Sequence, residues 1–460
     1  MEILVKDLRE VLELVRPLIP KNTTLPATRN LLIEGDRALA TDLETFVTIQ
    51  LDQSTPEPIM APVLHALELL KRVPGNAVAM LTPTKTGLMI KAAGTTATLS
   101  HEKVDDFPPL PSDLLEHELV MDGSALMDAL VEQARFAARD ESRPVLNAVC
   151  LHLDNPVEVV AADGFRLSIR TLPGDLSQHH RNLILPLGAI RVLAHLWKLE
   201  AGVPDLSGVA TMAEAAVAKR LVRIQYNDTQ MRVTFGRITL GSRLMQGSFP
   251  NYRQLVPKEE SSSVSFMGQD FLRAISLIGD IAKDGSAVAR MEWEDGTMHL
   301  SARAGDVGEV GTDLALLSCS FPGKIAVNCS YLLAYAKAVP GVVTMKTTTP
   351  SSPVLLLSEG QPQVVLMPMF VQWGGEGPQP APNAEGTPNP AGQDESEDSN
   401  EDQTVPNQES ATAAEDAHQP PVETTDHDGE AEPPTTGNAA APAKARAKKK
   451  SGSSKVEKAT

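Results

Sequence analysis

Ten histidines and three cysteines are the residues here best suited to chemistry, and none is spaced for it. A metal site needs several ligands a few residues apart so that their donor atoms converge, but the ten histidines are dispersed and form no such set with one another or with Cys. Cys150, Cys319 and Cys329 are an odd, scattered set, which reads as free thiols rather than a zinc or redox pair. The adjacent carboxylates Asp105 and Asp106 could act as acid and base, yet before a proline-rich stretch they read as a solvated turn. Phosphate loops of the GxxxxGK[ST] or GxGxxG type, the HExxH zinc motif and the GxSxG elbow do not occur. The residues therefore predict no catalytic site, no metal and no cofactor.

Composition narrows the remaining classes. The chain has 460 residues and 42% hydrophobic content, enough for two to four compact domains. It opens on MEILVKDLRE, with charges where a signal peptide needs an apolar stretch, and has no apolar run of 18 residues; the expectation is a cytoplasmic protein. The triplets at Asn22, Asn227 and Asn328 fit a glycosylation pattern that means nothing without secretion. Of the formal charge of -18, residues 374–460 contribute 17 acidic and 7 basic side chains, net -10, which leaves -8 for residues 1–373. A body this acidic can touch nucleic acid only through local positive surface, weakly and salt-sensitively.

The elements that would position any binding residues recur three times. Each repeat opens on an amphipathic helix, with Leu8, Val11, Leu12 and Val15 in the first, Leu126, Leu130 and Ala134 in the second, and Phe271, Ile275, Ile278 and Ala282 in the third. A second helix follows in APVLHALELLKRVPG, LPLGAIRVLAHLWKLE and VNCSYLLAYAKAVPG, two of them stopped by Val-Pro-Gly. Alternating segments around Asp295-Gly296, Asn227-Asp228 and Gly35-Asp36 predict hairpins, and FPPLPS and FPNYRQLVP predict extended linkers. The fold class is α+β, with each repeat two helices on an antiparallel sheet. The boundaries fall at 1–117, 118–257 and 258–373. Beyond Trp373 the chain is rich in Pro, Ala, Glu, Asp, Ser and Thr, which predicts a disordered tail over 374–460 with a basic end, AKARAKKKSGSSKVEK.

Four separated stretches carry a specific likeness. RDESRPVLNAVCLHL, VEVVAADGFRLSIR, SRLMQGSFPNYRQLVP and VVLMPMFVQW occur in the order in which the bacterial DNA sliding clamp, the beta subunit of the replicative polymerase, has DESRPVL, ATDGHRLA, RLIEGxFPxY and a terminal MPM. LPATRNLLIEG, ALATDLE and DFPPLP extend the resemblance to the first repeat, and EDGTMHLSA and VNCSYLL to the third, so that it spans residues 1 to about 373. The resemblance implies a DNA-clamp fold in which a head-to-tail homodimer of three-domain chains closes into a six-domain ring around duplex DNA. It implies a non-catalytic processivity factor whose partners are DNA, the polymerase catalytic subunit, the clamp loader, and other polymerases and repair proteins bearing clamp-binding peptides, with no membrane. Competing readings are a divergent or phage-type clamp serving another polymerase, a hydrolase or transferase on a repeated scaffold, and a scaffold without a DNA role.

The resemblance also assigns residues. A peptide groove between the second and third domains takes Leu146, Gly164, Arg166, Leu167, Pro250, Leu255, Asn328, Tyr331, Val365, Met367, Pro368 and Met369. Four departures, Ala162, Phe165, Gln254 and Phe370, make that groove less polar and imply an altered peptide preference. DNA contact falls to Lys21, Arg72, Arg139 and Arg143, with Asn22 where the family offers Arg. Arg9, Lys71, Arg135, Lys198, Arg273 and Lys337 are further candidates for the ring's inner surface. The dimer interface falls to Phe107, Leu277 and Ile278.

Overall fold

The structure, a computed structural model, describes residues 1–111, 114–140, 142–200, 221–257, 262–305 and 307–373. The tail expected over 374–460 lies outside the described residues.

Six helices among the described residues stand where the apolar spacing placed them. They are α1 (Val5–Val15), α2 (Val63–Leu70), α3 (Gly123–Gln133), α4 (Leu187–Glu200), α5 (Gly268–Asp284) and α6 (Cys329–Ala338). The residues at i, i+3 and i+4 are the buried ones, as in Leu8, Val11, Leu12 and Val15 of α1. α1 packs on α2, α3 on α4 and α5 on α6. Side chains complete the ends: Asp122 accepts from Ala125 N at 2.9 Å to cap α3, and Asn328 accepts from Ser330 N at 2.9 Å to cap α6.

The strands are antiparallel throughout and form four sheets. A nine-stranded sheet runs in the order Arg181–Pro186, Ala148–Leu153, Val157–Ala162, Arg166–Leu172, Gln363–Leu366, Val354–Leu357, Val342–Thr347, Ser262–Met267, Ser318–Cys319. A six-stranded sheet runs Asn30–Thr41, Thr45–Pro62, Ile238–Arg243, Gln230–Phe235, Leu221–Tyr226, His117–Asp122. Both join segments from different repeats. The two four-stranded sheets do not, and each has an outer strand at its edge, Thr95–Ser100 in one and Gly308–Ala315 in the other.

Alternation along a strand assigns its two faces. Val149, Leu151 and Leu153 belong to the core shared with the helices, whereas Ala148 and Cys150 belong to a separate apolar layer on the opposite face. Phe249 and Tyr252 cover that second face, so FPNYRQLVP is no exposed linker: it forms a short 3-10 turn over Tyr252–Gln254 and buries two aromatic rings.

The hairpin around Asp295-Gly296 forms as the alternation requires, pairing Met291 with Leu300 and Trp293 with Met298 across two positive-φ residues. The one around Asn227-Asp228 also forms, with Asn227 Oδ1 accepting from Thr229 N and Gln230 N. The one expected at Gly35-Asp36 does not. Asn30–Thr41 is a single strand, and Gly35, at φ +59°, marks a register shift within it. A left-handed glycine serves a bulge as well as a turn, and sequence alone does not separate the two.

Candidate functional site

The Asp-Gly-Phe-Arg turn between strands Val157–Ala162 and Arg166–Leu172 is built by one carboxylate. Asp163 Oδ1 accepts from Phe165 N and Arg166 N, each at 2.9 Å, and its Oδ2 accepts from Arg166 Nε at 2.8 Å. Gly164 takes φ +92°, which a side chain would strain, and an added Cβ would lie 2.4 Å from Arg143 Nη1.

The same turn reaches across to the third repeat. Arg166 Nη2 donates to the Arg135 carbonyl at 2.8 Å, and its guanidinium lies 5.2 Å from the Phe136 ring centroid and 4.7 Å from that of Tyr331. Tyr331 stands in the first turn of α6, and its phenol is pushed above the ordinary tyrosine range by burial first and the Asp163 charge second. Met367 N donates to the Phe165 carbonyl at 2.8 Å and Met369 N to the Ala326 carbonyl at 2.7 Å, so the Met-Pro-Met segment is held by main-chain bonds on both sides.

Beneath this polar rim lies the apolar layer. Leu167 pairs with Val365 where strand Arg166–Leu172 meets Gln363–Leu366, and both are buried with Leu146, while Leu255 borders the layer half-buried. Tyr252 OH donates to Glu158 at 2.6 Å and Arg253 to the same carboxylate at 2.8 Å, fixing the covering segment to the sheet. Burial, then Glu158, raises the Tyr252 phenol, which stays protonated and a donor. The structure thus gathers Leu146, Leu167, Leu255 and Val365 into one floor, with Gly164, Arg166, Tyr331, Met367 and Met369 around it. Asn328 turns its side-chain oxygen back to α6, and Pro250 is exposed beside buried Phe249. Phe165 and Phe370 expose 59% and 67% of their surface, so two of the departures place apolar rings in solvent beside this floor.

Among the described residues no three His, Cys, Asp or Glu side chains converge as a metal site. Burial pushes the Cys150 thiol up to about 12, leaving no thiolate at neutral pH.

The other predicted residues separate. Lys21, Arg72, Arg139 and Arg143 are exposed, as are Arg135, Lys198 and Lys337. Lys71 pairs with Glu68 at 2.7 Å and Arg273 with Asp270. Arg9 is half-buried and donates to the Leu70 and Val73 carbonyls at 2.6 and 2.9 Å, closing the end of α2. Phe107 packs on Leu32, Leu39 and Met60 of its own sheet and is largely buried, and Ile278 is fully buried in the core of the third repeat. Leu277 is 57% exposed. Sequence reasoning missed Phe136, which supports Arg166, and the edge strands Thr95–Ser100 and Gly308–Ala315, whose edges become visible only once distant strands are paired.

Comparison with known proteins agrees with this geometry. Residues 123–251 match the family model for the central domain of the DNA polymerase III beta subunit, and residues 253–370 the model for its C-terminal domain. A beta sliding clamp of Caulobacter vibrioides is 26% identical over 383 residues, covering 78% of this chain and 96% of the relative. One from Pseudomonas putida is 26% identical over 365 residues, covering 77% and 92%. The crystal structure of the DNA polymerase III subunit beta from Pseudomonas aeruginosa superposes with a TM-score of 0.71 at 23% identity, covering 81% of this chain and 100% of that one. A structure of the clamp from the same organism bound to griselimycin gives 0.70 at 23% identity, covering 81% and 99%.

Proposed function

Because this chain belongs to the DNA polymerase III beta-subunit family, the bacterial sliding clamps, and is a polymerase processivity factor rather than an enzyme, we propose that two copies close head to tail into a ring around duplex DNA. Each copy contributes three domains, 1–117, 118–257 and 258–373. A ring holds DNA by topology, so it needs no tight grip on phosphate, which suits a body of net charge -8.

The observation that carries this reading is a strand junction made twice and left open a third time. The start of strand Thr45–Pro62 pairs with Ile238–Arg243, the last strand of the second repeat. Strand Arg166–Leu172 pairs in the same antiparallel sense with Gln363–Leu366, the last strand of the third. The corresponding strand of the third repeat is Gly308–Ala315, and the last strand of the first is Thr95–Ser100; both are sheet edges. Edge strands of this kind invite pairing. Two copies supply two such pairs of edges, and a head-to-tail contact repeated twice leaves none open. Exposed Leu277 belongs with this interface.

In this reading Lys21, Arg72, Arg139 and Arg143 make weak, sequence-independent phosphate contacts. The floor of Leu146, Leu167, Leu255 and Val365, with the Met-Pro-Met wall, binds short peptides of the replicative polymerase, the clamp loader and repair proteins, and takes griselimycin. Met-rich walls repack around different anchors, while Phe165 and Phe370 favour peptides with apolar flanks. The chain works in the cytoplasm. Loading onto nicked circular DNA by the cognate clamp loader tests the function: the protein should stay on the circle through gel filtration in high salt and be lost once the circle is linearised. Equal loss from both forms would refute it.

A further inference from the structure

The first repeat has the same outer-face construction as the groove. Met60 and Ile184 each stand three residues before the second helix of their repeat, and each pairs with an apolar partner, Leu32 and Cys150. Leu39 pairs with Thr48 where Val160 pairs with Ile169. Each repeat then closes on Phe-Pro, at Phe107-Pro108 and Phe249-Pro250. The cluster of Leu32, Leu39, Met60 and Phe107 is therefore the counterpart of Cys150, Val160, Ile184 and Phe249.

The two faces differ at the strand junction. Where Leu167 opposes Val365, the first junction has Phe46 opposite Gly241, and a Cβ at Gly241 would lie 1.9 Å from the Phe46 ring. The ring fills that end. The open space shifts to a cavity of about 360 Å³ walled by Leu32, Leu39, Phe107 and Leu110, within the size range of small-ligand pockets. Its rim carries Glu34 and Asp105 against Arg37 alone, all exposed.

We propose that this cavity is a second docking site, taking an extended peptide that buries one or two aliphatic or aromatic side chains and sets a lysine or arginine on the acidic rim. The inference rests on reading the groove between the second and third repeats as a peptide site. Pro108 and Pro109 in the wall lack N–H donors, so recognition there is by side chains rather than strand addition. The net negative rim selects the basic flank.

The test titrates the full chain with a fluorescent peptide, acetyl-Lys-Leu-Pro-Leu-Phe-amide, with and without saturating griselimycin. Binding should persist in part when griselimycin fills the groove. The combined changes Glu34→Lys and Asp105→Lys, both at exposed positions, should weaken that residual binding by about tenfold or more, or about 1.4 kcal/mol, and leave griselimycin affinity unchanged. Complete displacement by griselimycin, or residual binding indifferent to the rim reversal, would overturn the second site. Failure of griselimycin to bind would instead overturn the groove reading, with the rim variant still deciding the cavity.

Discussion

Arg166 shows how one side chain joins two repeats. Its guanidinium bonds to Asp163 and to the Arg135 carbonyl and lies between the Phe136 and Tyr331 rings, so a turn of the second repeat is fixed against a helix of the third. Both bonds are charge-assisted and the planar group matches the flanking rings. On the proposed reading of the groove, Arg166→Ala should weaken griselimycin binding by roughly ten- to a hundredfold, about 1.5–3 kcal/mol, read by calorimetry. Arg166→Lys should recover little, because an ammonium restores the charge but neither the fork nor the stack; full recovery would show that charge alone matters. Position 166 was legible in the sequence, since DGFRL is a motif with a place in a known order. Phe136 was not, because a single aromatic beyond the end of α3 carries no periodic signal and its role depends on a ring some 195 residues away, in Tyr331.

At the scale of the element, the helices were legible and the sheet junctions were not. Apolar spacing of three and four residues is local information and placed all six helices, whereas the pairing of Thr45–Pro62 with Ile238–Arg243 joins strands that share no turn. The role of Arg9 was hidden for a related reason: the carbonyls it caps, Leu70 and Val73, lie at the end of α2 and just beyond it, not on its own helix. The opening helices are comparable position by position. Their tenth residue is Leu14 in α1, fully buried, and Glu132 in α3, half-buried with Arg170 at 3.8 Å. Burial holds the Glu132 carboxyl above its ordinary range, with Arg170 and then Arg135 pulling the other way. A carboxyl raised on folding is favoured in its protonated form, so its contribution is full at low pH and is lost as pH rises from the unfolded value through the folded one. Glu132→Gln should accordingly leave the melting temperature unchanged near pH 4 and raise it by about 1–2 °C at pH 7, measured by differential scanning fluorimetry. A shift of the same size at both pH values would rule out ionisation as the cause.

For the whole molecule, the tenth residue of the third opening helix carries the sharpest consequence. Leu277 stands where α1 buries Leu14, yet it is 57% exposed, on a helix whose Phe271, Ile275 and Ile278 face inward. Leu277, Gly308–Ala315 and Thr95–Ser100 are thus apolar surface and strand edges that a single chain leaves uncovered. In the proposed ring a second copy covers all three at once. Leu277→Asp should leave folding intact, since the residue is outside the core, and convert the proposed dimer to monomer by placing a carboxylate in its apolar interface, a desolvation cost of several kcal/mol. Ile278→Asp should instead unfold the third repeat, because that side chain is already buried. Sedimentation velocity with circular dichroism separates the two outcomes: a folded monomer for Leu277→Asp fits the ring, and an undisturbed dimer would place the interface elsewhere. A monomer that no longer stays on circular DNA, although its Lys and Arg side chains are untouched, would mean that closure rather than charge retains the clamp.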